Sequence, residues 1–247
     1  RRQRQMCIRD RLDSYLGDRL WRLRGEYANS SFDFDGKNTG FEAREDDAYS
    51  VSIGYDTSRD QNPDGQATST WGVSVIHQRV GPWFYSLGNS GVTADRETMQ
   101  FLGNYQGEQF GATASISLGE DNVENDASLP TTEIDAALIN LTYVPRQDSN
   151  VPEDGQQDGG IFSNPSFNLG WSHNSLDQIR TPTGFTGDDV NSRYDEISLM
   201  ANFAGSDWYW SLSHSLIRQD DEINPDNRTD TATTGLDSQF MLNEYFS

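Results

Sequence analysis

The sequence predicts an all-β fold: an antiparallel meander of about ten to twelve strands, rolled into a barrel that is incomplete in this chain. Three observations predict it. Segments of alternating hydrophobicity recur along the chain, the stretches between them are rich in Gly, Asn, Asp and Pro, and no segment carries the apolar stripe of a helix. The pattern is clearest from Phe110 to Gly119. Phe110, Ala112, Ala114, Ile116 and Leu118 share one parity, and Gly111, Thr113, Ser115, Ser117 and Gly119 share the other. A strand sends successive side chains to opposite faces, so this segment has one apolar face and one small polar face.

Taken in order, the first strand begins near Leu20, with Trp21, Leu23, Gly25 and Tyr27 opposed to Arg22, Arg24 and Glu26. A turn is expected at 35–40. The second strand presents Tyr49, Val51, Ile53 and Tyr55, and a Pro-Asp-Gly turn follows at 63–65. The third presents Trp71, Val73, Val75 and His77. Val80-Gly81-Pro82 reads as a tight reversal into a fourth strand at Trp83, Tyr85 and Leu87. The fifth carries Met99, Phe101 and Tyr105, and Phe110–Gly119 is the sixth. The seventh shows Ala137, Ile139, Leu141 and Tyr143. A proline- and glycine-containing stretch at 145–165 reads as a long insert within one domain, because the same strand type resumes after it. Phe167, Leu169, Trp171 and His173 mark the eighth, Ile197, Leu199, Ala201 and Phe203 the ninth, and Trp208, Trp210, Leu212 and Leu216 the tenth. A weaker strand is expected from Leu236 to Tyr245.

Residues 1–19 are expected to be a leader outside the fold, and residues 20–247 the barrel. The Arg-Arg-Gln-Arg-Gln start matches nothing downstream and resembles translated adaptor sequence of the kind that enters metagenomic assemblies. The only cysteine, Cys7, lies in that segment, so an intrachain disulfide is excluded.

Composition narrows the partners. The formal charge is −21 and the pI about 4.2, which excludes a duplex-binding surface. The acid lies in the connections, 121–126, 188–189 and 220–230, and reads as solvated loops or as sites where divalent cations bridge to an anionic surface. Only 34% of residues are hydrophobic and the mean hydropathy is −0.76, lean for a thick core. A barrel with an apolar outside, a polar inside and long polar loops has this profile.

Three features favour lipid over a core as the partner of the apolar faces. Strands of about 8–10 residues suit a tilted bilayer crossing. Short connections alternate with long ones, as in transmembrane barrels. Aromatics flank the short turns: Trp83, Tyr105, Phe110, Phe203 and Trp208, with Tyr143 and Phe167 beside the insert. These seven are the expected membrane-interface residues. A soluble sandwich or propeller is the rival, since it also alternates.

The runs Asn-Leu-Gly-Trp-Ser-His-Asn, Ile-Ser-Leu-Met-Ala-Asn-Phe and Trp-Tyr-Trp-Ser-Leu-Ser-His-Ser in strands eight to ten resemble Gram-negative outer-membrane β-barrel proteins. The resemblance is one of pattern and covers about residues 20–247. It implies an outer-membrane location, contact with outer-membrane lipid and lipopolysaccharide, and delivery by the barrel assembly machinery. Barrels of that class commonly end in an aromatic residue, whereas this chain ends Glu-Tyr-Phe-Ser.

The sequence carries no set of catalytic residues, so no enzyme, cofactor or metal is expected. His77, His173 and His214 fall on apolar parities, and no Gly-x-Ser-x-Gly, His-Glu-x-x-His or phosphate loop occurs. The larger polar-face residues, Arg22, Arg24, Glu26, Gln100, Asn104 and Asn140, are the candidate pore lining. The two arginines would favour anions unless Glu26 or another carboxylate pairs with them. The expected function is a channel or export-type pore for small polar or anionic solutes. The alternatives are a structural or adhesive surface barrel acting through its acidic loops, and a soluble all-β binding domain.

Overall fold

The computed structural model of the protein describes residues 5–32, 44–57, 69–86, 92–146, 160–205, 207–221, 223 and 227–240, with residues 5–9 by backbone alone. Eleven strands form one sheet: β1 (Gln5–Leu16), β2 (Trp21–Phe32), β3 (Arg44–Asp56), β4 (Ser69–Val80), β5 (Arg96–Gly107), β6 (Phe110–Asp121), β7 (Thr131–Tyr143), β8 (Ser166–Arg180), β9 (Asn191–Ala204), β10 (Trp208–Asp221) and β11 (Thr229–Phe240). Every strand pairs antiparallel with its chain neighbours, in the order β1 to β11. No helix occurs among the described residues, and none is long and apolar enough to cross a membrane. The sheet is an all-antiparallel meander with free edges at β1 and β11. Because eleven is odd, those edge strands run in the same direction, and an all-antiparallel closure needs an odd number of further strands.

Two expectations about the elements are corrected. Residues 5–16, expected to lie outside the fold, form β1 and pair with β2 from Gln5↔Phe32 to Leu16↔Trp21. The adaptor-like composition hid a polar edge strand. The fourth strand expected at Trp83 and Tyr85 does not form among the described residues. Residues 81–86 instead turn back, with the Phe84 N–H donating to the Gly81 carbonyl, as Gly81-Pro82 would favour. Leu87, the turns expected at 35–40 and 63–65, most of the 145–165 insert and the chain beyond Phe240 lie outside the described residues.

Taking the β1–β2 turn as marking end A of the sheet, end A also carries the connections 57–68, 108–109, 144–165 and 205–207. End B carries 33–43, 81–95, 122–130, 181–190 and 222–228. The three shortest connections are all at end A, but so is the longest. The expected length asymmetry therefore holds only in part.

The register fixes the faces. Directly paired residues share a face, and the chain Leu23↔Ile53, Ile53↔Val75, Val75↔Phe101 and Phe101↔Ile116 runs without a slip across five strands. A shift by one residue would exchange the two faces. The direction of curl follows from the glycines. A Cβ added at Gly54, Gly72, Gly119, Gly170 or Gly235, all on the polar face, would lie 2.5–3.1 Å from a neighbouring atom; one added at Gly25 or Gly103, on the apolar face, would meet nothing within 4 Å. A curling sheet crowds its concave side and spreads its convex side. The polar face is therefore the inner one.

Buried side chains are few. Val80 and Ser30 are almost fully enclosed and Phe84 nearly so. Val80 and Ser30 belong to the concave face at end B, where the start of the β4–β5 connection folds over it: the Tyr85 N–H donates to Ser30 Oγ at 3.0 Å and the Trp83 N–H to Asp46 Oδ2 at 2.7 Å.

Candidate functional site

The convex face has three zones. At end A, nine consecutive strands each place an aromatic ring on it: Trp21, Tyr55, Trp71, Tyr105, Phe110, Tyr143, Phe167, Phe203, and on β10 both Trp208 and Trp210. Neighbouring rings meet, Trp21 on Tyr55 at 4.9 Å and Tyr55 on Trp71 at 5.0 Å. Phe203 stacks on Trp210 at 4.3 Å and reaches Phe167 at 6.2 Å. Above them lies a band of aliphatic side chains open to solvent. Val51 is 48% exposed, Val73 51%, Ile116 46%, Leu199 52% and Leu212 46%. At end B the same face turns charged. Glu97, Glu120, Glu133 and Asp177 are successive cross-strand partners, a row that like-charge repulsion would penalise unless water screened it. From Tyr105 to Glu97 is eight residues of one strand, about 27 Å at roughly 3.4 Å per residue.

Six of the seven expected belt aromatics, Tyr105, Phe110, Tyr143, Phe167, Phe203 and Trp208, fall in the end-A row. Trp83 does not. It lies at end B in the β4–β5 connection, with the Arg44 guanidinium 3.4 Å from its ring centroid. Its placement followed from a strand that is not there. Trp21, Tyr55, Trp71 and Trp210 belong to the row but were not singled out. The signal was an aromatic recurring near the same end of each strand at apolar parity.

The concave face carries the candidate lining residues in two separate groups. Asn104 pairs with Thr113, Thr113 with Asn140, Asn140 with Gly170, Gly170 with Ser198, Ser198 with Ser215, and Ser215 with Thr233. This is an uncharged ladder of amides and hydroxyls across β5–β11, beside a cavity of about 340 Å³ lined by Asn140, Thr142, Asn168, Ser198, Ser213 and Thr233 among others. Gln100 lies on the same face, paired with Ser117.

The second group is ionic. Arg22 Nε and Nη2 donate to Asp13 Oδ1 and Oδ2 at 2.9 and 2.6 Å. Arg11 reaches Asp13 at 3.0 Å and Glu26 at 3.6 Å. Arg24 is 3.6 Å from Asp13 Oδ2. The structure thus separates Arg22, Arg24 and Glu26, on β2, from Gln100, Asn104 and Asn140. It also supplies the arginines with Asp13, a partner on β1.

All three histidines are on the convex face. His77 meets Glu97 at 2.8 Å, His173 meets Asp195 at 2.7 Å, and His214 meets the Thr234 hydroxyl at 2.9 Å. Among the described residues no group of three or more His, Cys, Asp or Glu is placed to hold a metal ion.

The acidic β6–β7 connection is ordered by its own side chains. Asn122 Nδ2 donates to the Asp126 carbonyl at 3.0 Å, and the Asp126 N–H returns a bond to Asn122 Oδ1 at 2.8 Å. Asp126 Oδ1 accepts from the Ser128 N–H and hydroxyl at 2.8 and 2.7 Å. Those two bonds hold its carboxyl below the usual range, against the opposing effect of desolvation and with help from Arg180.

The fold and the two faces define a class: an antiparallel β-meander, curled with its polar face inside and its apolar face out. No family model, curated protein or solved structure matches this chain.

Proposed function

We propose that the chain is the wall of a bacterial outer-membrane β-barrel that passes small polar or anionic solutes. One observation carries the reading: nine consecutive strands raise an aromatic at the same end of an exposed aliphatic band that is bounded by charge at the other end. A water-exposed apolar band of this extent is unusual on a soluble protein. In a bilayer it meets hydrocarbon, its rings sit at the headgroups, and its acidic rim meets water. Contact with lipid and lipopolysaccharide, and delivery by the barrel assembly machinery, follow from the same reading.

The concave face then faces the lumen. Rows of directly paired residues run perpendicular to the strands. With strands tilted by about 40° such a row climbs along the barrel axis. The Asn104–Thr233 ladder would be an oblique polar ramp that can exchange hydrogen bonds with a hydrated solute without trapping it by charge. Catalysis forms no part of the proposal. The test is refolding of the full chain into planar bilayers. Discrete conductance steps are expected, and a protein that stays in the aqueous phase as a soluble monomer overturns the reading.

The adhesive alternative has its own support in the ordered β6–β7 connection, whose Asn122–Asp126 network holds a fixed acidic surface at end B. Insertion without conductance would favour it.

A further inference from the structure

The three guanidinium groups of the β1–β2 hairpin are not equivalent. Arg22 holds Asp13 with two hydrogen bonds, from its Nε to Oδ1 and its Nη2 to Oδ2. Arg11 takes the same Oδ2 at 3.0 Å and lies 3.6 Å from Glu26. Arg24 has what is left. Its contact among the described residues is Asp13 Oδ2 at 3.6 Å, beyond hydrogen-bonding range, and that oxygen already accepts from both other arginines. Its Nε is buried without a partner. A guanidinium carries five donors, and among the described residues none of Arg24's is hydrogen-bonded.

The surroundings leave room for a ligand. Arg24 pairs across the sheet with Ser52, and Arg22 with Gly54, so small side chains floor the concave wall beside it. Toward end B the wall is roofed by the β4–β5 connection, over a cavity of about 260 Å³ lined by Glu26, Ser50, Gln78, Phe84 and Ser86 among others. Access is thus narrowed toward end B. With Nε enclosed, the two Nη groups are what Arg24 can offer a ligand, and their parallel donors match a carboxylate better than a spherical anion.

We infer that Arg24 is a carboxylate-binding subsite on the concave wall, with Arg22 as the residue that fixes Asp13 and keeps it from occupying Arg24. The inference rests on the concave face being water-filled, as the proposed pore requires. It names the solute class as carboxylates.

The test compares gluconate with sorbitol, which share the six-carbon polyhydroxy chain and differ at one end, a carboxylate against a CH2OH, by calorimetric titration of the refolded full chain in detergent. Gluconate is expected to bind and sorbitol not. Arg24→Gln should weaken gluconate by about tenfold, the loss of one charge-assisted pair. Arg24→Lys, which keeps the charge but not the fork, should fall between. Equal behaviour of the two solutes, or unchanged gluconate binding in both Arg24 variants, overturns the inference. A parallel bilayer recording separates the two readings. Gluconate binding without conductance contradicts the transport reading and leaves the subsite standing, whereas conductance without gluconate binding does the reverse.

Discussion

The two faces of this sheet are made from the same strands and obey opposite rules. On the convex face large apolar side chains stand open to solvent, Phe203 excepted; Leu199 and Val73 are about half exposed. On the concave face polar residues crowd one another, so that a methyl group at Gly170 would lie 2.5 Å from Ser198 Oγ. The enclosed residues include Ser30, Thr131 and Ser211 alongside Val80 and Phe203. Hydrophobicity in this chain therefore does not mark a core. It marks the side that needs a partner from outside, and the lack of space marks the inside.

Breaking the convex rule should have the largest effect. Ile116→Arg places a guanidinium in the middle of the aliphatic band and should cost about 2–4 kcal/mol of folding free energy in lipid vesicles. Ser117→Arg, one residue along on the other face, should cost little. Equilibrium urea titration of the two variants measures the difference.

The crowding rule is tested with one substitution at two glycines. Gly170→Val should cost about 1–3 kcal/mol by overpacking against Ser198 and Asn140. Gly103→Val has open space and should be neutral or stabilising by up to about 1 kcal/mol, given the strand preference of valine. The same titration reports both, and equal costs would remove the evidence for the direction of curl.

A smaller effect separates the ionic from the neutral part of the concave wall. Asp13→Asn removes the charge that Arg11, Arg22 and Arg24 share. It should shift the reversal potential in a salt gradient toward anions. Asn140→Asp, in the neutral ladder, should shift it the other way.

The smallest effect is local. The folded pKa of Asp126 lies below its unfolded value, so its bonds to Ser128 contribute fully above the unfolded value, about pH 4, and are lost as pH falls through the folded one. Protection of the Ser128 amide, taken relative to its intrinsic exchange rate at each pH, should fall on acidification across that window, and Asp126→Ala should abolish that change in protection.

Much of the fold was legible because alternation is a local signal. Every strand from β2 to β10 is marked by side chains two apart, and so are Trp83 and Tyr85, where no strand forms. What was illegible depended on partners distant in sequence or on composition. β1 reads as an arginine-rich tail until it is paired with β2, and Asp13 has no visible role until the register sets it opposite Arg24. Tyr85 alternates with Trp83 as a strand would, but its N–H goes to Ser30, 55 residues earlier. For the same reason the sequence grouped Arg22, Arg24, Asn104 and Asn140 by parity alone, whereas the sheet places them in two regions of different charge.

The central claim is that the apolar face meets lipid and the polar face meets water. The most direct measurement uses single spin labels in a Cys7→Ser background, with the full chain in vesicles. One set takes Val51, Val73, Ile116, Ile139, Leu169, Leu199 and Leu212; the other takes Ser52, Ser74, Ser115, Asn140 and Ser213. Labels of the first set should relax with dissolved oxygen and labels of the second with a water-soluble nickel chelate. If both sets respond alike, or the first set is shielded from both agents as in a soluble core, the account is wrong.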